Sequence, residues 1–214
     1  MARSTHPRPG KKPARPYHHG DLRRALLDEA LRTIQTCGVE HLTLRTVGER
    51  LGVSRSALYR HFADKQSLLA TVGKEGFRKL RQTITDAWEQ NGRGRAGFEA
   101  MGKAYVQFAV AHPSHYRVMF GGFIESAAKD EHFLAEAKAA FQVLVDALVD
   151  QQNAGDIRRD DPTLMARFVW ALFHGTAMLV IDGQLSEPAQ NRALERYTFE
   201  RLYSSIRQET LRAD

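Results

Sequence analysis

The chain has 214 residues, 43% hydrophobic and 26% charged, a balance that suits a water-soluble globular protein with a sizeable core. Its one cysteine, Cys37, excludes an internal disulfide. No uninterrupted run of about 18 apolar residues and no secretory signal is read, so a cytoplasmic protein is expected rather than a secreted or membrane one. The net charge of +6 is uneven: residues 1–80 carry 16 Lys+Arg against 7 Asp+Glu, whereas residues 81–214 carry 15 against 18. A basic end suits nucleic acid, and a mildly acidic remainder suits self-association or a small molecule.

Residues 1–16 hold four prolines, five lysines or arginines and no acid. Such a segment buries too little apolar surface to order itself, so a disordered basic arm is expected. It reads either as an inert leader or as a source of phosphate or minor-groove contacts. A first helix is predicted from Asp21 to Thr36, with Leu22, Ala25, Leu26, Ala30, Ile34 and Cys37 along one face and Gly38 as its stop. On that face Cys37 reads as a small core residue, not an exposed thiol sensor.

The stretch from Leu42 to Leu69 organises the rest. Thr43 suits the N-cap of a helix in which Leu44, Val47 and Leu51 recur at helical spacing. Gly52 supplies a left-handed stop without steric cost. Ser54 caps a second short helix that turns Ala57, Leu58 and Phe62 inward, and Asp64 caps a third. Two short helices across a glycine turn form a helix-turn-helix unit, whose second helix enters the DNA major groove. The outer face here presents Arg55, Ser56, Tyr59 and Arg60. Arg55 can fork onto guanine, Ser56 permits close approach, and Arg45 is a further candidate for base contact. Thr43, Ser54, Tyr59, His61 and Lys65 suit phosphate, Lys65 because it opens the next helix beside amides that favour an anion. A tight helical corner with a charged outer face would share this pattern without binding DNA.

The third of these helices should run from Asp64 to about Gln90, too long to belong to the helix-turn-helix unit alone. From about Ala96 the pattern stays helical to the end. A fifth helix stops before Pro113, and a sixth runs from there to Gly121. A seventh spans Ala135 to about Gln151, an eighth opens at Asp161-Pro162 and reaches Ile181, and a ninth opens at Pro188. The eighth is apolar nearly all round from Phe168 to Ile181, so burial on more than one side is expected, one of them against a second copy. Aromatic and sulfur-bearing residues are dense in this region. They fit either plain core packing or an apolar cavity, with Met101, Tyr105, Phe108, Met119, Phe120, Trp170, His174 and Met178 as the candidate pocket residues.

No cofactor is implied. The close histidine pairs, His112/His115 and His18/His19, lack a third ligand at suitable spacing, so no metal site is assigned. No phosphate loop, nucleophile elbow or Ser/His/Asp set can be singled out, which argues against an enzyme.

The run Gly52-Val53-Ser54, Ala57-Leu58-Tyr59, His61-Phe62, Lys65 and Leu68-Leu69 resembles the signature of the TetR family of bacterial transcriptional regulators. The similarity begins at Tyr17-His18-His19-Gly20-Asp21-Leu22 and is strong to about Leu69. Thr46 and Gln66 depart from the acids that relatives often carry there. The resemblance implies an all-α protein with a DNA-binding domain over residues 17–66 and a ligand-binding, dimerisation domain over residues 67–214. It further implies a homodimer through helices 8 and 9 on a palindromic double-stranded operator. A small-molecule effector between helices 4 and 8 would shift helix 4 and release a repressor. Trp170-Ala171 with His174-Gly175, followed by Asp182-Gly183, is similar to a TetR subgroup named for a Trp-His-Gly signature. The competing readings are a non-specific architectural DNA binder, which would need no aromatic-rich second domain, and a helical enzyme.

Overall fold

The structure, a computed structural model, describes residues 19–124, 130–185 and 187–208. The basic arm expected over residues 1–16 lies outside the described residues. Among those described, nine helices and no strand are present: α1 His19–Cys37, α2 Leu44–Leu51, α3 Arg55–Tyr59, α4 Lys65–Gln90, α5 Gly94–Ala111, α6 Pro113–Phe120, α7 Glu131–Ala154, α8 Pro162–Ile181 and α9 Pro188–Ile206.

The head of the molecule is α1 to α3 and the first turns of α4. Leu22, Leu26, Ala30 and Ile34, four residues apart, form the buried stripe of α1. The stripe ends there, which corrects the expectation for Cys37. Its thiol is exposed, because the chain turns at Gly38 with φ +87° and fills the core with Val39 and Leu42 instead. Hydrogen bonding from Thr36, and then the Arg50 guanidinium, hold this thiol below its ordinary pKa.

Local capping sets the boundaries that follow. Thr43 Oγ1 accepts the Thr46 amide at 3.0 Å, and the two hydroxyls stand 2.7 Å apart, so Thr46 supplies a contact in place of an acid. Ser54 Oγ accepts the Ala57 amide at 3.2 Å. Asp64 and Ser67 form a reciprocal capping box, with bonds of 2.7 and 3.2 Å. Arg50 ties α2 to α1 by donating to Thr33 Oγ1 at 3.0 Å and Glu29 Oε1 at 3.3 Å.

At 26 residues, α4 is about 39 Å long at a rise of 1.5 Å per residue. It joins two environments. Leu68 and Leu69 are fully buried in the head, while its later turns pack against α5, α6 and α7. The boundary expected between residues 66 and 67 therefore falls inside a continuous helix. Gly76 lets α6 approach closely, since a Cβ there would collide with the Met119 thioether. The seventh helix starts earlier than expected, at Glu131, because Asp130 Oδ1 accepts the Phe133 amide at 2.9 Å.

The eighth helix is long and apolar enough, by length and composition, to cross a membrane, although Arg167 and His174 interrupt the run. Here it packs against α5, α7 and α9. In the single chain it is buried on one side only: Leu164, Phe168, Ala171, Gly175 and Leu179 are exposed, and their spacing makes one continuous stripe.

Candidate DNA interface and interior cavity

The exposed edge of the head is built by α2 and α3. Arg55, Ser56, Tyr59 and Arg60 are all exposed, and Ser54 Oγ sits 3.1 Å from Ser56 Oγ. No acid occurs from Arg55 to His61, and neither Arg55 nor Arg60 makes an ion pair among the described residues. Arg45 differs: its Nε donates to Glu49 at 2.7 Å, one turn away. That pair is highly exposed, so it is weak and can be exchanged for another partner. Thr43 and Ser54 both use their hydroxyls as caps. His61 is half-buried.

Lys65 has a job that sequence reading missed. Its Nζ donates to the Val39 carbonyl at 2.9 Å and the Glu40 carbonyl at 3.3 Å. The side chain thereby ties the α1–α2 connection to the start of α4, leaving one of its three donors free.

Behind the head lies a cluster that joins α1, α4 and α6. Glu75 takes ion pairs from Lys79 at 2.7 Å and Arg24 at 3.0 Å. The buried His115 Nε2 stands 3.6 Å from Glu75, too far for a good hydrogen bond. His115, then Lys79 and Arg24, hold the Glu75 carboxyl well below the usual carboxylate range. Ser114 Oγ donates to the Leu31 carbonyl at 3.1 Å, a second link between α6 and α1. His112 and His115 rings are 5.8 Å apart, and no group of three possible metal ligands occurs among the described residues.

Helices α4 to α8 enclose a cavity of about 460 Å³, within the size range of sites for small organic molecules. Of the expected pocket residues, Met101, Tyr105, Met119, Phe120 and Trp170 line it. Phe108, His174 and Met178 do not. Phe108 is buried elsewhere, with its ring 5.0 Å from that of His112. The sequence-based set lacked Phe77, Leu80 and Ile84 of α4, and Phe133 and Leu144 of α7, which complete the wall. Gly102 on α5 also lines it, and a Cβ there would strike the Phe173 ring.

The indole N–H and the hydroxyl of the wall, from Trp170 and Tyr105, are spent on each other and on the groups behind them. Trp170 Nε1 donates to Tyr105 Oη at 3.0 Å. The Tyr105 and Tyr116 hydroxyls are 2.9 Å apart, and Tyr116 Oη lies 2.7 Å from His174 Nδ1. An indole N–H can only donate, so one arrangement uses the indole hydrogen and both hydroxyl hydrogens: Trp170 to Tyr105, Tyr105 to Tyr116, Tyr116 to Nδ1 of a neutral His174. Burial pushes the Tyr105 hydroxyl up to about 12. Burial, then Tyr105, raises Tyr116 as well, and burial holds the His174 imidazole below its ordinary value. Each shift favours the neutral forms that the chain requires.

The comparisons with known proteins agree with this architecture. Residues 26–72 match the family described as bacterial regulatory proteins, tetR family, and residues 98–202 match the tetracyclin repressor-like C-terminal domain. The HTH-type transcriptional regulator BetI of Burkholderia thailandensis is 30% identical over 92 residues, which span 42% of this chain and 44% of that protein. The chain thus spans less than half the length of that curated relative. A solved structure of a protein of unknown function from Rhodococcus sp. RHA1 is 32% identical, with a TM-score of 0.81 over 91% of this chain and 100% of the other. A regulatory protein of the tetR family from Rhodococcus RHA1 superimposes with a TM-score of 0.71 over 88% of this chain and 98% of its own, at 20% identity. Head, long connecting helix and helical body are matched together, and the chain belongs to the TetR family of transcriptional regulators, which are not enzymes.

Proposed function

We propose that this chain is a sequence-specific DNA-binding transcriptional repressor of the cytoplasm, acting as a homodimer and released by a small apolar ligand. The observation that carries this reading is α4. The helix holds the base of the DNA-facing head through Leu68 and Leu69, and lends Phe77, Leu80 and Ile84 to the cavity wall. A ligand that refills the cavity acts on the same rigid element that positions α3, so its differential affinity for two settings of α4 biases DNA affinity.

In this reading Arg55 and Ser56 read bases, with Arg45 joining once it leaves Glu49. Thr43, Ser54, Tyr59, Arg60 and His61 contact phosphates, and Lys65 adds its remaining donor. The exposed stripe on α8 supports a dimer through α8 and α9. Gly175 in its middle has open space over it, which permits close helix approach, and Tyr197 of α9 offers a further exposed apolar surface. Two copies would set two recognition helices about 34–36 Å apart, one turn of B-DNA.

Fluorescence anisotropy with DNA from upstream of the protein's own gene, against shuffled DNA across a salt series, tests the proposal. The expected result is a specific preference of about a thousandfold or more, with two chains or a multiple of two per site. Equal and steeply salt-dependent binding to both DNAs would instead indicate an architectural role.

A further inference from the structure

We propose that the cavity takes an amphipathic organic acid, whose apolar body fills the interior and whose carboxylate is held at the mouth by Lys138 of α7 and Arg167 of α8. This rests on the reading of the cavity as a ligand site. Among the described residues, Lys138 and Arg167 are the only charged side chains lining the cavity, and both are exposed. Residues that line an enclosed space yet reach solvent stand at its opening.

Among the described residues, neither cation is neutralised by an acid. Lys138 has Leu134, Ala135, Phe141 and Gln142 as its helix-face neighbours, and Arg167 has Thr163, Leu164, Trp170 and Ala171. The acid closest to Lys138 in sequence, Glu136, is taken by Arg78 and Arg81. Asp161 is committed to capping α8 through the Leu164 amide at 2.8 Å. No ion pair to Lys138 or Arg167 occurs among the described residues.

Arg167 sits at the edge of the cavity side of its helix. It lies three residues before Trp170, which lines the cavity, and its other flank borders the open stripe at Leu164 and Ala171. The described residues lining the interior meanwhile offer no unused polar hydrogen, because the Trp170 N–H goes to Tyr105 and the Tyr105 hydroxyl to Tyr116. A ligand's polar end therefore has one place to go. A guanidinium fork and an ammonium facing an apolar hollow fit a carboxylate, since the fork can engage both oxygens at once.

The test compares dodecanoate with dodecanol, below their micelle-forming concentrations, by calorimetry on the full chain. Wild type should bind dodecanoate about tenfold or more tightly than dodecanol, the scale of a hydrogen bond to a charged group. The gap should narrow as salt is added. In the variant carrying Lys138→Gln and Arg167→Gln, dodecanol should bind as before and the gap should close to within about twofold. A circular dichroism melt shows that the variant is folded. Equal binding of the two compounds by wild type, or a preference that survives in the variant, overturns the inference and leaves the cavity reading standing. Binding of neither compound overturns both.

Discussion

Replacing His174 by Phe isolates the last acceptor of the buried donor chain. The ring contacts survive, since a phenyl group can keep the positions now 4.9 Å from Phe120 and 5.5 Å from Tyr116. What is lost is Nδ1. Three hydrogens then face two oxygens, and whichever way the hydroxyls rotate, one buried donor is left without a partner. The cost of such an orphan is about 1–3 kcal/mol, or a fall in Tm of about 2–4 °C for each kcal/mol in a chain of this size. Tyr116→Phe removes a link without stranding its neighbours, because Tyr105 Oη already lies 3.2 Å from His174 Nδ1 and can donate there directly. That variant should lose less than about 1 kcal/mol. The double variant leaves two hydrogens, those of the Trp170 indole and the Tyr105 hydroxyl, facing one oxygen, again with one orphan, and should be about as stable as His174→Phe alone. Thermal unfolding at one protein concentration, which the proposed dimer requires, reads all three. Equal losses for the two single variants, or additive losses in the double, would refute the donor chain.

The other expectations are independent of that chain. The His174 imidazole is held low by burial, so the unfolded chain protonates first as pH falls. The associated stability is complete above about pH 6.5 and drains as pH drops through the lowered folded value; His174→Phe should flatten this slope in urea titrations at stepped pH. Arg55→Ala should cost about 1–3 kcal/mol on the operator and relax specificity, whereas equal weakening on shuffled DNA would contradict base reading. Lys65→Ala should weaken all DNA alike, and should also lower Tm because the Val39 and Glu40 carbonyls lose their donor. Unchanged melting would contradict that tie. Cys37 should react with a disulfide reagent in the native protein without denaturant, as its exposure requires; protection until unfolding would contradict the turn at Gly38.

What was legible in the sequence is what is decided within a few residues. Thr43, Ser54 and Asp64 each cap a helix through an amide three residues ahead, so α2, α3 and the start of α4 could be placed from spacing alone. The early start of α7 carried a similar signal, Asp130 before an acidic first turn, and was readable on the same terms. Contacts that close over long separations were not. Lys65 meets carbonyls 25 and 26 residues back, and a lysine beside a helix start otherwise reads as a phosphate ligand. Cys37 continues the three-and-four spacing of α1, yet a single left-handed glycine sends the chain away before that position can be covered.

The cavity shows the same limit from the other side. Aromatic density marked the region, and five of the expected residues do line the wall. Density cannot separate a residue that faces the hollow from one that faces its own helix pair. Phe108 turns toward His112, and His174 spends itself on hydroxyls 58 and 69 residues away. Nor could composition distinguish the two apolar sides of α8: both are made of the same residue types, and only packing against α5, α7 and α9 separates the filled side from the open one. The head is therefore a sequence-local object, whereas the body's specificity arises where α4, α7 and α8 converge. A change at Lys138 or Arg167 can accordingly alter what is bound while leaving every cap and the DNA-facing edge as they are.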